Sequence, residues 1–112
     1  MEEKKQRQNL DACRWQTLSL VEQLGNIGSE IGRAINAQKQ GKEEKKGHAL
    51  DMAFELFDLT ISDSRWMARL KELTRSREVV ADYFFGDNVY NSAPENLEKY
   101  FYWFAFAARK NR

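Results

Sequence analysis

Histidine and carboxylates spaced three or four residues apart on a helix can gather around a metal ion. His48, Asp51, Glu55 and Asp58 follow one another at spacings of three, four and three. Bundles that hold two metal ions carry inward Glu-x-x-His pairs on two helices, and the chain repeats no such pair. The quartet therefore reads as a solvated acidic helix face, and no metal or cofactor is expected. His48 is the only histidine, with no cysteine or serine nucleophile close to it in the chain. That supports no catalytic triad, so the expectation is a non-enzymatic protein without catalytic residues.

Arginines supply the second set. Arg65 and Arg69 are i,i+4 neighbours, Arg75 follows, and Glu72, Glu78 and Asp82 are interspersed. Such a run can contact phosphates, as in an RNA- or DNA-binding face, or it can be a solvated, salt-bridged surface. Arg77 is different, because it falls within the apolar stripe between Leu73 and Val80/Phe84. A guanidinium there must meet a carboxylate, meet helix-end carbonyls or reach outward, since an unpaired buried charge costs several kcal/mol. Its functional version would hold a bound phosphate or a partner's carboxylate.

The third set is aromatic. Tyr100-Phe101-Tyr102-Trp103-Phe104-Ala105-Phe106 packs six of the chain's fourteen aromatic residues into seven positions. On a helical wheel Leu97, Tyr100, Phe101, Phe104, Ala105 and Ala108 share one face and belong to a core. Tyr102, Trp103 and Phe106 point elsewhere, in company with Lys99 and Lys110. Left in water they would form an apolar patch of the kind found at interfaces. Their cover is the first helix or its N-terminal extension, a second copy or protein partner, or a base stacked on Tyr102 or Trp103.

Four helices would position these groups. The chain has 112 residues, 42% apolar and 31% charged, with one proline and no alternating strand pattern, which implies a single all-α domain. A charged N-terminal extension, 1–10, precedes a helical-bundle domain, 11–112. Helices are expected over about Asp11–Gln40, Lys45–Ile61, Arg65–Phe84 and Pro94–Arg109. Short connections make an antiparallel, up-down-up-down four-helix bundle. In the first helix Leu10, Cys13, Thr17, Leu20, Leu24, Ile27, Ile31 and Ile35 form one stripe. In the third, Trp66, Met67, Leu70, Leu73, Val80, Ala81 and Phe84 are expected inward.

Gly25, Gly28 and Gly32 make a ridge beside the first stripe. Each costs a helix about 1 kcal/mol relative to alanine, so close approach of another helix is the expected compensation. Gly41 and Gly47 bracket five charged residues, read as a solvated turn. Ser62, Asp63 and Ser64 offer N-cap oxygens to the third helix. Gly86 reads as its left-handed terminator, and Ser92-Ala-Pro94-Glu95 as a capping box opening the fourth.

A formal net charge of +1 leaves no global basic field for nucleic acid, though a local stripe is compatible with it. Cys13 is the lone cysteine, which suits a reducing cytoplasm. The polar N-terminus carries no secretory h-region. Only nine uncharged residues separate Lys99 from Arg109, against about twenty for a membrane helix, so no membrane is expected.

The strings Leu24-Gly-Asn-Ile-Gly-Ser-Glu-Ile-Gly-Arg-Ala-Ile35, Ala53-Phe-Glu-Leu-Phe-Asp-Leu-Thr-Ile61, Arg69-Leu-Lys-Glu-Leu73 and Asp82-Tyr-Phe-Phe-Gly-Asp-Asn88 resemble a family of small uncharacterised bacterial proteins. The similarity runs from about Leu18 to Arg112 and implies a helical bundle in a bacterial cytoplasm. More loosely, size and layout are similar to the HEPN proteins and the 23S rRNA intervening-sequence proteins. That resemblance implies oligomers acting in RNA-linked or toxin–antitoxin systems. Ribonuclease-active HEPN proteins carry an Arg, four to six intervening residues, then a His. No Arg precedes His48 at that distance, so their activity does not carry over.

The function expected is an interaction module that forms a homo-oligomer or docks a protein partner through Tyr102, Trp103 and Phe106. The alternative is a nucleic-acid-binding accessory using Arg65, Arg69, Arg75 and Arg77.

Overall fold

The computed structural model describes residues 13–110, save the side chains of 104, 105 and 107–110. The charged extension 1–10 and the first stripe residue, Leu10, also lie outside that description. The described residues form helices and no strand. These are α1 Leu20–Lys39, α2 Glu43–Ile61, α3 Leu70–Phe85 and α4 Pro94–Lys110. A helical turn at 13–15 precedes α1, and a 3-10 helix, Ser64–Arg69, leads into α3. None of these helices is long and apolar enough to cross a membrane.

The first helix does not run unbroken from Asp11. Ser19 and Glu22 form a capping box: the Ser19 hydroxyl accepts from the Glu22 amide (3.2 Å) while the Glu22 carboxylate accepts from the Ser19 amide (2.9 Å). Those bonds satisfy two amides that a helix start leaves without partners, so the chain can turn at 16–19 and restart. The turn folds Trp15 into the core, where it is 5% exposed.

At its other end α1 closes with a left-handed Gly41 (φ +70°). The Gly41 amide donates to the Gln38 carbonyl (3.1 Å) and the Lys42 amide to the Ala37 carbonyl (2.8 Å), a Schellman motif. The turn is therefore only Gln40–Lys42, and Gly47 lies inside α2 rather than bracketing a loop. So short a connection sends α2 back along α1. The segment that leads into α1 meets the end of α2 at Trp15 and Thr60, while Ala34 near the end of α1 packs with Ala49 and Leu50 near the start of α2.

Asp63 caps the 3-10 helix, its carboxylate accepting from the Arg65 amide at 3.1 Å. The helix is kinked at Trp66 (φ −107°, ψ 22°), which shifts the inward face from the one an unbroken helix would present. Trp66 packs against Leu20, Leu24 and Leu73. Met67 and Leu70, expected inward, are instead 74% and 40% exposed.

Gly86 is extended (φ −103°, ψ −159°) rather than left-handed. Its reason for being glycine is space, because a Cβ there would lie 3.2 Å from the Asp82 backbone. The left-handed positions fall on Asn88 (φ 54°) and Asn91 (φ 53°). Asp82 organises this loop, its carboxylate accepting from the amides of Val89 (2.8 Å) and Tyr90 (3.0 Å). The first turn of α4 is set by Ala93, whose carbonyl accepts from the amides of Asn96 and Leu97. Ser92 thus sits one residue too early for the expected box.

One cluster joins the four α-helices. Ile27, Ile31 and Ile35 of α1, Ala53, Leu56 and Phe57 of α2, Val80 of α3, and Leu97 and Phe101 of α4 are all buried in it. The main helix interfaces are α1 with α2, α1 with α4, and α2 with α3. Among the three ridge glycines only Gly28 has a close neighbour, since a Cβ there would meet the Phe101 Cβ at 3.4 Å. Among the described residues a Cβ at Gly25 or Gly32 would meet nothing within 4 Å, so close packing there accounts for only one of the three. Gly25→Ala is accordingly expected to raise unfolding stability by about 0.5–1 kcal/mol, and Gly28→Ala by much less. Urea midpoints of the two variants check this; equal shifts would contradict it.

Candidate functional site

The exposed aromatic residues of α4 form a continuous surface. Tyr102, Trp103 and Phe106 are 65%, 56% and 40% exposed. Tyr102 and Phe106, one helical turn apart, stack with centroids 6.5 Å apart and an 18° interplanar angle. Trp103 meets both edge-on, at 5.7 Å from Phe106 and 5.5 Å from Tyr102. Face and edge contacts of this kind order the rings relative to one another while leaving large apolar areas in water.

On the opposite side of α4, Leu97 and Phe101 are buried as the wheel expects. Tyr100 is not a core residue. It is 40% exposed, and its hydroxyl shares a 2.9 Å hydrogen bond with the Ser76 hydroxyl of α3. A phenol at the edge of the core can bury part of its ring while its oxygen finds a polar partner. Phe104, Ala105 and Ala108, expected in the core, and Lys110 have side chains outside the described set.

The aromatic surface continues into a groove of about 360 Å³ between α1 and α4. Gly25 and Gly28 line it from α1, and Glu98, Tyr102 and Phe106 from α4. The glycine ridge and the aromatic excess, two separate anomalies in the sequence, thus share one surface. Seeing that in advance would have required knowing that α4 crosses α1 at Gly28. The ridge itself was the available signal.

The four arginines are not a free cationic patch. Arg65 donates to Asp63 through Nε (3.0 Å) and Nη2 (2.7 Å), and through Nη2 to the Leu18 carbonyl (2.8 Å). Its guanidinium also lies 4.4 Å from the Trp66 ring centroid. Arg69 pairs with Glu72 (3.3 Å), and Arg75 lies 5.8 Å from the Tyr90 ring centroid. Arg77 does meet a carboxylate: Nε donates to Asp58 at 2.9 Å, and the guanidinium sits 5.0 Å from the Phe54 centroid. Asp58 is thereby drawn out of the acidic quartet. Among the described residues, no three histidine, cysteine or carboxylate side chains gather as metal ligands.

A buried polar network went unread in the sequence. Gln23, fully buried, donates to the Trp15 carbonyl (2.8 Å) and accepts from the Trp66 indole (2.9 Å). The Trp15 indole donates to the Thr60 hydroxyl (2.9 Å). Asp63 is only 6% exposed, and its hydrogen bonds from the Arg65 side chain hold its carboxyl below the usual range, against an opposing push from burial. The Ser19-x-x-Glu22 spacing was the one local sign of the break that makes room for this network.

The Asp63 shift sets an acid-side dependence. A carboxyl whose folded pKa is depressed stabilises the fold above its unfolded value, and that contribution is lost as pH falls through the folded value. Wild type is expected to lose stability below the ordinary carboxylate range more steeply than Asp63→Asn. Urea midpoints across pH measure it; parallel curves would contradict it.

No family model, curated protein or solved structure matches the chain. The functional reading rests on the chain's own chemistry.

Proposed function

We propose that the chain is a non-enzymatic interaction module, an antiparallel up-down-up-down four-helix bundle that associates through the aromatic face of α4. The observation that carries this is the exposed Tyr102–Trp103–Phe106 cluster with the groove beside it. Large aromatic side chains in water are costly, and they are the residues that anchor protein interfaces. A second copy or a partner protein covers them, in the bacterial cytoplasm that the sequence resemblance implies. The alternative, an RNA- or DNA-binding accessory using Arg65, Arg69, Arg75 and Arg77, is less favoured because each guanidinium already has an intramolecular contact.

Light scattering of the purified chain across a concentration series is expected to give a multimer. Trp103→Ala with Phe106→Ala is expected to return it to a monomer with unchanged helicity. Each truncated anchor weakens association by about 2 kcal/mol, roughly thirtyfold. A monomer at every concentration eliminates self-association and leaves a different protein as the partner. A double variant that still assembles like wild type removes the aromatic face as the interface.

A further inference from the structure

A second concavity, of about 470 Å³, lies between α1 and α2 at the end closed by the Gln40–Lys42 turn. Its floor is made by Ala37, Ala49 and Met52. Ala37 and Ala49 are nearly buried, and small side chains from both helices leave a hollow where larger ones would interlock. The result is an apolar base of a size that suits a small organic ligand.

Its rim is cationic. Lys42, Lys45 and Arg33 contribute three positive charges, against one lining carboxylate, Glu30, which is paired with Arg33. Glu43, the nearest acidic residue in the chain to Lys42, is held by Lys46 at 2.9 Å. Among the described residues neither Lys42 nor Lys45 is drawn into an ion pair. Among the described residues, two lysines outside any ion pair thus line the same cleft as Ala37, Ala49 and Met52. Asn36 and Gln40 add amide donors to the same lining. This differs from the arginine run of the 3-10 helix and α3, where every guanidinium has an intrachain contact.

We propose that this cleft binds a small phosphate-bearing organic anion. Its apolar body rests on Ala37, Ala49 and Met52, and its phosphate is held by Lys42 and Lys45. Lysine suits a compact anion because it acts as a mobile point charge with three donors. The cleft is open, so binding is weak, on the order of 1 mM, and salt-sensitive.

Phenyl phosphate tests the assignment on the full chain, followed by amide chemical shifts. Inorganic phosphate and phenol separate the two halves of the ligand. Phenyl phosphate is expected to give saturable shifts at Ala37, Ala49, Met52 and His48, with each half alone binding at least several-fold more weakly. Lys42→Ala with Lys45→Ala should weaken phenyl phosphate at least tenfold without loss of helicity, since both side chains are exposed. Lys71→Ala, on α3, should leave binding unchanged. Non-saturating shifts scattered over surface lysines, or a double variant that binds like wild type, would overturn the proposal. Binding should survive Trp103→Ala with Phe106→Ala, so this site and the aromatic interface stand or fall separately.

Discussion

Phe57→Ala is expected to cost the fold about 3–5 kcal/mol, a large part of the stability of a domain this size. Phe57 is the largest fully buried side chain in the described structure. Its ring lies 6.2 Å from Phe54 and 5.8 Å, edge-on, from Phe101. Through Phe101 it ties α2 to α4, and the same cluster contains Ile27, Ile31 and Val80 from α1 and α3. Truncation removes the transfer free energy of the ring and leaves a cavity bounded by four helices, none of which can close it alone. Denaturant unfolding checks the loss as a lowered midpoint at unchanged slope. Phe57→Leu should lose much less. A midpoint near wild type for the alanine variant would mean that the α1–α2 and α1–α4 interfaces do not share a core.

The second large effect is expected at Gln23. Gln23→Leu keeps the volume but strips the half-buried Trp66 indole of its acceptor, at about 1–3 kcal/mol, and takes from the Trp15 carbonyl one of its two donors, the Leu18 amide remaining. Gln23→Glu separates hydrogen bonding from packing. It keeps an acceptor for Trp66, but sets a carboxylate against the Trp15 carbonyl and near Asp63, whose Oδ2 is 3.4 Å from Gln23 Nε2 in wild type. Burial and the neighbouring Asp63 should raise the pKa of the new carboxyl. A raised acid pKa destabilises the fold above the unfolded value, and the penalty is relieved as pH falls through the folded value. Gln23→Glu should therefore gain stability on acidification relative to Gln23→Leu. Equal pH profiles for the two would show that Gln23 serves only as filler.

The loss at Phe57 bears on function through the surface that its core supports. Phe101 is buried between Phe57 and the Gly28 backbone, and on the same helix Tyr102 and Trp103 are the next residues. With Phe101 held in the core, the helical rotation of 100° per residue turns its neighbours outward. Loss of the core should loosen the aromatic face without removing it. Trp103→Ala with Phe106→Ala should do the reverse.

The amino-acid sequence by itself determined the helices. Stripes such as Leu24, Ile27, Ile31 and Ile35 are local, repeat every three or four residues, and become the buried faces. It also separated Phe101 from Tyr102, Trp103 and Phe106, because helical phase follows from spacing alone. What it could not carry is anything set by residues far apart in the chain. Gln23 meets Trp66 across 43 positions and Trp15 meets Thr60 across 45, and those bonds stabilise the breaks at 16–19 and at Trp66 that periodicity reads through. Arg77 fell in an apolar stripe, yet its environment was decided by Asp58 on another helix. Tyr100 lies on the core side of the wheel, but its exposure depends on how α3 lies beside α4 at Ser76. The glycine ridge and the aromatic run could each be read, and only the crossing of α4 over α1 at Gly28 made them one surface. Local periodicity carries helix and phase; long-range hydrogen bonds and helix crossings decide where helices break and what they leave open to a partner.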